Sequence, residues 1–428
     1  MTRRFRSALF ALASILACLG CIQACRAPPP PPPGATLPPV TVLAFGDSGY
    51  AYDYLEADDL VPPLSAEQFA AEWREEWLED KRPLADYALP ATTVLPATGG
   101  TIEASGVARV SAAMRRFCAM ESCNLATMLG DNIYPNGATL GTDGHDDRRR
   151  FRTLLLDPFR DLEPGNREFR VYATLGNHDW NTSREGAFAQ LRYLETTAPF
   201  YMNGLVYRVK PPAAHGTVEI FAIDTTLLLA ANDVPEPLLD DDGSEITNAD
   251  LVDVEPWMTP QSDVERDISG WLERALAGSD ARWKIVIGHH PLWSSAGSKF
   301  QQARILRRLL LPALCQYADV YLAGHEHTLE VHLDACNEAT PATRTIPLLH
   351  VVSGAAAKQR PLNRAFMAAQ ARDNPQLQTL WAQGLVWGFA HLTLAPDTVT
   401  VQMLTVANEG DAAPSVAYTY THPRRSTP

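Results

Sequence analysis

The stretch "TMLGDNIYPNG", residues 127–137, decides how the chain is read. An apolar run ends at Gly130, Asp131 and Asn132 follow, and Tyr134 stands four positions after the glycine. Taken alone, an Asp-Asn pair after a strand is a turn. The same device recurs at four other places. "VLAF" stops at Gly46-Asp47-Ser48-Gly49, and "YATL" at Gly176-Asn177-His178-Asp179. "KIVI" stops at Gly288-His289-His290-Pro291, and "VYLA" at Gly324-His325-Glu326-His327. Any one of these has a plain explanation, since a lone histidine is more often a surface or capping residue than a ligand. Five together predict a shared site. In an α/β sheet the strand ends converge on a crevice, and each glycine lets the backbone turn as the next side chain points in.

Helical spacing is read at 66–80, 104–120, 148–159, 185–195, 262–277 and 300–315, between short apolar runs. Ser65 and Gln68 form a capping box for the first of these. That helix lies in an acidic insertion at about 51–107, of which 82–107 reads as loop. The C-terminal part, from "FAHLTLAP" to "SVAYTYTH", alternates like antiparallel strands. Strands interleaved with helices, then strands again, predict an α/β fold with two packed sheets. "LLDDDGSEIT" (238–247) is an acidic loop. Aligning Gly243 with the glycine of an EF-hand puts Leu238 first and Ala249 last, which excludes that calcium site.

Lys and Arg number 36 against 50 Asp and Glu, a formal charge of −14. That argues against a nucleic-acid partner, which needs a basic surface. Residues 1–25 read as a signal peptide: three arginines, then an apolar run too short to span a bilayer. Cys18, Cys21 and Cys25 crowd its end, and one of them resembles the lipid-attachment site of bacterial lipoproteins; ordinary cleavage is the alternative. Export to a periplasm, to a membrane-anchored state or to the medium is expected. Residues 26–39 form a proline-rich linker, and 40–425 the folded domain. Cys118, Cys123, Cys315 and Cys336 suit two disulfides, with three connectivities open and Cys118–Cys123 with Cys315–Cys336 the local ones.

The turns collect Asp47, Asp131, Tyr134, Asn177, His178, His289, His325 and His327. Oxygen and imidazole donors without thiolate suit iron, zinc or manganese. Seven plausible ligands exceed what one ion needs, and two ions sharing a carboxylate would use them all. Two metals about 3.5–4 Å apart hold a substrate and an activated hydroxide for displacement at phosphorus.

The order GDxG, GDxxY, GNHD, VxxH, GHxH resembles the purple acid phosphatases, tartrate-resistant type, within the calcineurin-like metallophosphoesterases, from about Val40 to Ala390. That resemblance implies a four-layer α/β/β/α sandwich with two mixed β-sheets. It implies Fe(III) on Asp47, Tyr134 and His327, a divalent Fe, Zn or Mn ion on Asn177, His289 and His325, and Asp131 between them. It makes His178 the proton donor to the leaving group and the reaction hydrolysis of a small phosphomonoester by a metal-bound hydroxide. The chain departs from the pattern after "PLWS", where relatives place a second substrate-facing histidine and Ser298 stands here. His290 replaces a frequent tyrosine; it is a second substrate-facing candidate, with packing as the plainer reading. Two rivals remain: a phosphodiesterase or nucleotide hydrolase on the same centre, and a non-catalytic surface-exposed binding lipoprotein.

Overall fold

The computed structural model of the protein describes residues 38–55, 62–337 and 345–425. The expected signal peptide and most of the linker lie outside these residues, as do positions 56–61 of the insertion. Among the described residues no helix is long and apolar enough to cross a membrane.

The strands are β1 (Val40–Phe45), β2 (Thr92–Val94), β3 (Thr101–Glu103), β4 (Leu125–Leu129), β5 (Val171–Thr174), β6 (Phe200–Tyr201), β7 (Tyr207–Val209) and β8 (Val218–Ala222). They continue with β9 (Trp283–Ile287), β10 (Val320–Ala323), β11 (Leu329–Asp334), β12 (Leu348–Ser353), β13 (Leu377–Gln383), β14 (Trp387–Leu394), β15 (Thr398–Val406) and β16 (Pro414–Pro423). Among the described residues they form two seven-stranded sheets and a small ribbon. The first sheet runs β16-β15-β14-β1-β4-β5-β6 and the second β13-β11-β12-β10-β9-β8-β7. Both are mixed. β1, β4, β5 and β6 are parallel in one, and β8, β9, β10 and β12 in the other, with antiparallel strands completing each.

The parallel strands are largely buried on both faces, so β1, β4, β5, β9 and β10 read as mainly apolar runs. The sheets meet where β14 packs on β11 and β12. Helix Val107–Glu121 covers the first sheet through β14, β15 and β16; helix Ile268–Ala277 lies on β8 and against helix Phe300–Tyr317. This is the expected four-layer sandwich.

The capping box at Ser65 and Gln68 is present, and it starts helix Ala66–Glu79. Trp73 and Trp77 are buried beneath that helix and donate to the carbonyls of Ala88 and Pro83. Three details differ from the sequence reading. Residues 82–107 are not all loop: β2 and β3 form an antiparallel ribbon, three residues a side and too short to show a period. The helix read through 262–277 breaks at Asp267, whose backbone leaves the helical region (φ −131°, ψ 41°). Helix Arg364–Asp373, capped by Asn363 on the Phe366 N–H, carries no periodic signal in the sequence.

The disulfides are the two local ones, Cys118–Cys123 and Cys315–Cys336. The second closes the longer loop, 21 residues against 5. Loop-closure entropy therefore predicts that Cys315→Ala/Cys336→Ala loses about 3 kcal/mol and Cys118→Ala/Cys123→Ala about 2 kcal/mol, read from urea unfolding. The reverse order would contradict this ranking.

Candidate metal centre

All five glycine turns lie at the C-terminal ends of parallel strands, three from the first sheet (β1, β4, β5) and two from the second (β9, β10). The side chains that follow meet at the seam between the sheets. Bringing them there needs left-handed backbone: Asp47 has φ 57°, Asp131 φ 50° and His325 φ 68°. Aspartate and histidine tolerate this region better than most residues, and such strain collects at functional sites. Gly130 (φ +89°) has a second reason to be glycine, because a Cβ there would come within 2.6 Å of the His289 ring.

Tyr134 Oη lies 2.9 Å from Asp131 Oδ2, 3.1 Å from Asp47 Oδ1 and 3.1 Å from His327 Nε2. A second group surrounds His289 Nε2, which is 3.2 Å from Asn177 Oδ1, 3.1 Å from His325 Nδ1 and 3.3 Å from Asp131 Oδ2. Asp131 Oδ2 therefore stands in both groups. Donors about 3 Å apart are what bonds of about 2.1 Å subtend around a six-coordinate ion. All seven predicted ligands come together, in the two sets that the resemblance implied.

The other atoms of these side chains are tied back. Asp47 Oδ2 accepts the His325 N–H at 2.8 Å, and Asp131 Oδ1 accepts the His178 N–H at 2.9 Å. His289 Nδ1 donates to the Leu129 carbonyl at 2.8 Å, and His325 Nε2 to Gln302 Oε1 at 2.9 Å. Each partner fixes which nitrogen is left for an ion. Asp179 joins the β4 and β5 turns, as a capping carboxylate does. It accepts from the N–H groups of Asn132, Ile133 and Gly176 and from the side chains of Asn132 and Gln190, at 2.8–3.2 Å.

The electrostatics fit cations here. Asp47 and Asp131 are buried, and uncompensated charge in such a place is costly. Burial raises Asp47 well above the carboxylate range, helped by Asp131. Burial and then the two carboxylates push Tyr134 far above an ordinary phenol. Against the penalty of burial, Asp131 and Asp47 raise His289 to about 9. Protons thus stand in for positive charge. Burial keeps His325 and His327 neutral, ready to donate a lone pair. Two carboxylates and a phenol within bonding distance of one point suit a hard, highly charged ion; an amide and two imidazoles suit a softer divalent one.

His178 is no part of either donor set. Its Nδ1 donates to the Pro135 carbonyl at 2.5 Å, and its Nε2 faces Asp131 Oδ2 from 4.0 Å. The two substrate-facing candidates lie elsewhere. His290 is buried, its Nδ1 2.8 Å from Thr225 Oγ1, and it packs on His325; the plainer reading applies. Ser298 lines a cavity of about 130 Å³ with Glu79, Lys81 and Leu238, a cavity that none of the seven ligands reaches. Trp180 and Trp293 are core residues, bonded to Asp224 and Asp334. Lys358 and Arg360, which follow β12 and reach the Tyr134 side of the centre, belong to no sequence motif.

The calcineurin-like phosphoesterase model matches residues 104–329, more than half of the chain. The chain belongs to that family. Among curated members it is 32% identical over 206 residues to rat tartrate-resistant acid phosphatase type 5, covering 47% of this chain and 54% of the relative. It is 25% identical over 236 residues to Arabidopsis purple acid phosphatase 4, covering 55% and 59%. The chain thus spans between half and two thirds of the length of these relatives. Among solved structures, GAP50, described as the anchor in the inner membrane complex of Plasmodium, superposes with a TM-score of 0.53 at 14% identity, covering 91% of this chain and 90% of that one. That is a likeness of fold.

Two outcomes follow for this calcineurin-like centre. The His289 proton must leave before an ion binds, so below pH 9 affinity for Zn²⁺ falls with pH, by about tenfold per unit for each proton displaced; calorimetric titration of metal-free protein at pH 6 and 8 reads this, and equal affinities would refute it. Asp179→Ala strands three backbone N–H groups and lowers stability by about 3 kcal/mol or more, with a loss of metal affinity of about 10–100-fold. Thermal melts and metal analysis measure both.

Proposed function

We propose that the protein is a binuclear-metal phosphatase that hydrolyses phosphomonoesters. The observation that carries this reading is the shared oxygen: Asp131 Oδ2 stands in both donor sets, with His178 Nε2 4.0 Å away. In this reading Asp47, Tyr134 and His327 hold Fe(III), Asn177, His289 and His325 hold a divalent iron, zinc or manganese ion, and Asp131 serves both. The ions supply Lewis acidity toward the phosphoryl oxygens and activate water.

The chain's own residues arrange the rest. The Pro135 carbonyl accepts a hydrogen bond from His178 Nδ1–H, which leaves Nε2 turned to the centre to give a proton to a departing alkoxide. The His178 N–H holds Asp131 Oδ1 back, which leaves Oδ2 as the oxygen that would serve the ions. Burial lowers the His178 pKa below the ordinary imidazole value, against the pull of Asp131. The proton-donating form exists below that pKa and is lost above it, so activity on poor leaving groups declines as pH rises.

The relatives named acid phosphatases support this activity, and the complete donor set speaks against a binding protein that merely keeps the fold. Export is part of the proposal, with residues 1–25 as its signal and lipid attachment at Cys18, Cys21 or Cys25; two disulfides suit an oxidising compartment. The test is His178→Ala. It keeps both ions but loses about 10²–10³-fold in kcat/KM on alkyl phosphates, and much less on aryl phosphates whose leaving group needs no proton. Equal losses on both substrates would remove His178 from that role.

A further inference from the structure

The segment after β12 carries two cations past the centre. Arg360 donates to Glu103 at 3.0 Å and stacks 5.7 Å from the Trp73 ring of the insertion helix. The other Glu103 oxygen takes the Gln359 N–H at 2.8 Å, so the acidic insertion neutralises Arg360 and anchors the segment. Lys358 reaches the aromatic wall of the site. Its Nζ is 4.8 Å from the centroid of the Tyr50 ring and 5.2 Å from that of Tyr134. The Tyr134 ring is 4.4 Å from the imidazole of His178, the proposed proton donor. Lys358 is half-buried, with its ammonium over both rings, as cations lie on aromatic faces.

We propose that Lys358 is a specificity-determining residue that favours dianionic phosphomonoesters over monoanionic diesters. This rests on the phosphatase reading and sharpens it. A monoester loses its second proton near pH 6, so near neutrality it brings almost one more negative charge than a diester. An ammonium held beside Tyr134 and His178 meets that extra charge as the ester enters. A diester puts a neutral ester group in its place.

The experiment compares metal-loaded wild type, Lys358→Gln and Lys358→Arg. It reads kcat/KM for p-nitrophenyl phosphate and bis(p-nitrophenyl) phosphate, calorimetric affinity for inorganic phosphate, and metal content as a control on the site. In Lys358→Gln the monoester-to-diester ratio and the phosphate affinity each fall by about tenfold, the worth of one hydrogen bond to a charged group, and Lys358→Arg restores most of both. A ratio and an affinity unchanged in Lys358→Gln overturn the proposal. If wild type turns over neither ester, the phosphatase reading fails, and phosphate affinity alone decides on Lys358: a tenfold loss supports its role and equal affinities overturn it.

Discussion

Two carboxylates and a phenol buried side by side form the constraint on which the rest of this molecule depends. Asp47, Asp131 and Tyr134 are nearly inaccessible, and their oxygens lie 2.9–3.1 Å apart. Without positive charge they cannot all ionise, and burial with mutual repulsion drives Tyr134 and Asp47 to keep their protons. A folded chain tolerates such a cluster when cations occupy it. The backbone strain at Asp47, Asp131 and His325 points the same way, since each of those residues turns its side chain, against its own preference, into the seam.

The topology explains why the cluster can exist. Parallel strands carry their C-terminal ends to one edge, and packing two such sheets face to face brings turns from both to a single line. β1, β4 and β5 supply Asp47, Asp131, Tyr134 and Asn177; β9 and β10 supply His289, His325 and His327. Neither sheet holds a full donor set for both ions. Asp179 keeps two of the turns in register, and the second hydrogen bonds of Asp47, His289 and His325 fix the rest. The centre is thus a property of the sheet–sheet seam.

Much of this was legible in the sequence, for a physical reason. A parallel strand buried on both faces is an apolar run, and a ligand turn needs a glycine and a polar side chain where the run stops. Five such endings pointed to a shared site, and with the family resemblance they implied the sandwich and seven candidate ligands. What was hidden depends on distant contacts. The β2–β3 ribbon is too short to have a period, and Asn363, which starts helix Arg364–Asp373, follows no apolar pattern. Lys358 and Arg360 belong to no motif. Their position is set by Glu103 and Trp73, more than 250 residues earlier. His290 and Ser298 went the other way: placed beside a motif in sequence, one packs in the core and the other lines a separate cavity.

The measurement that bears most directly on the shared Asp131 centre is metal content together with the visible absorption spectrum of the purified protein, beside Tyr134→Phe. Two ions per chain, one of them iron, and a visible band that vanishes in Tyr134→Phe are the expected result. A single ion per chain under every loading condition would contradict the account, because Asp131 would then have no second ion to serve.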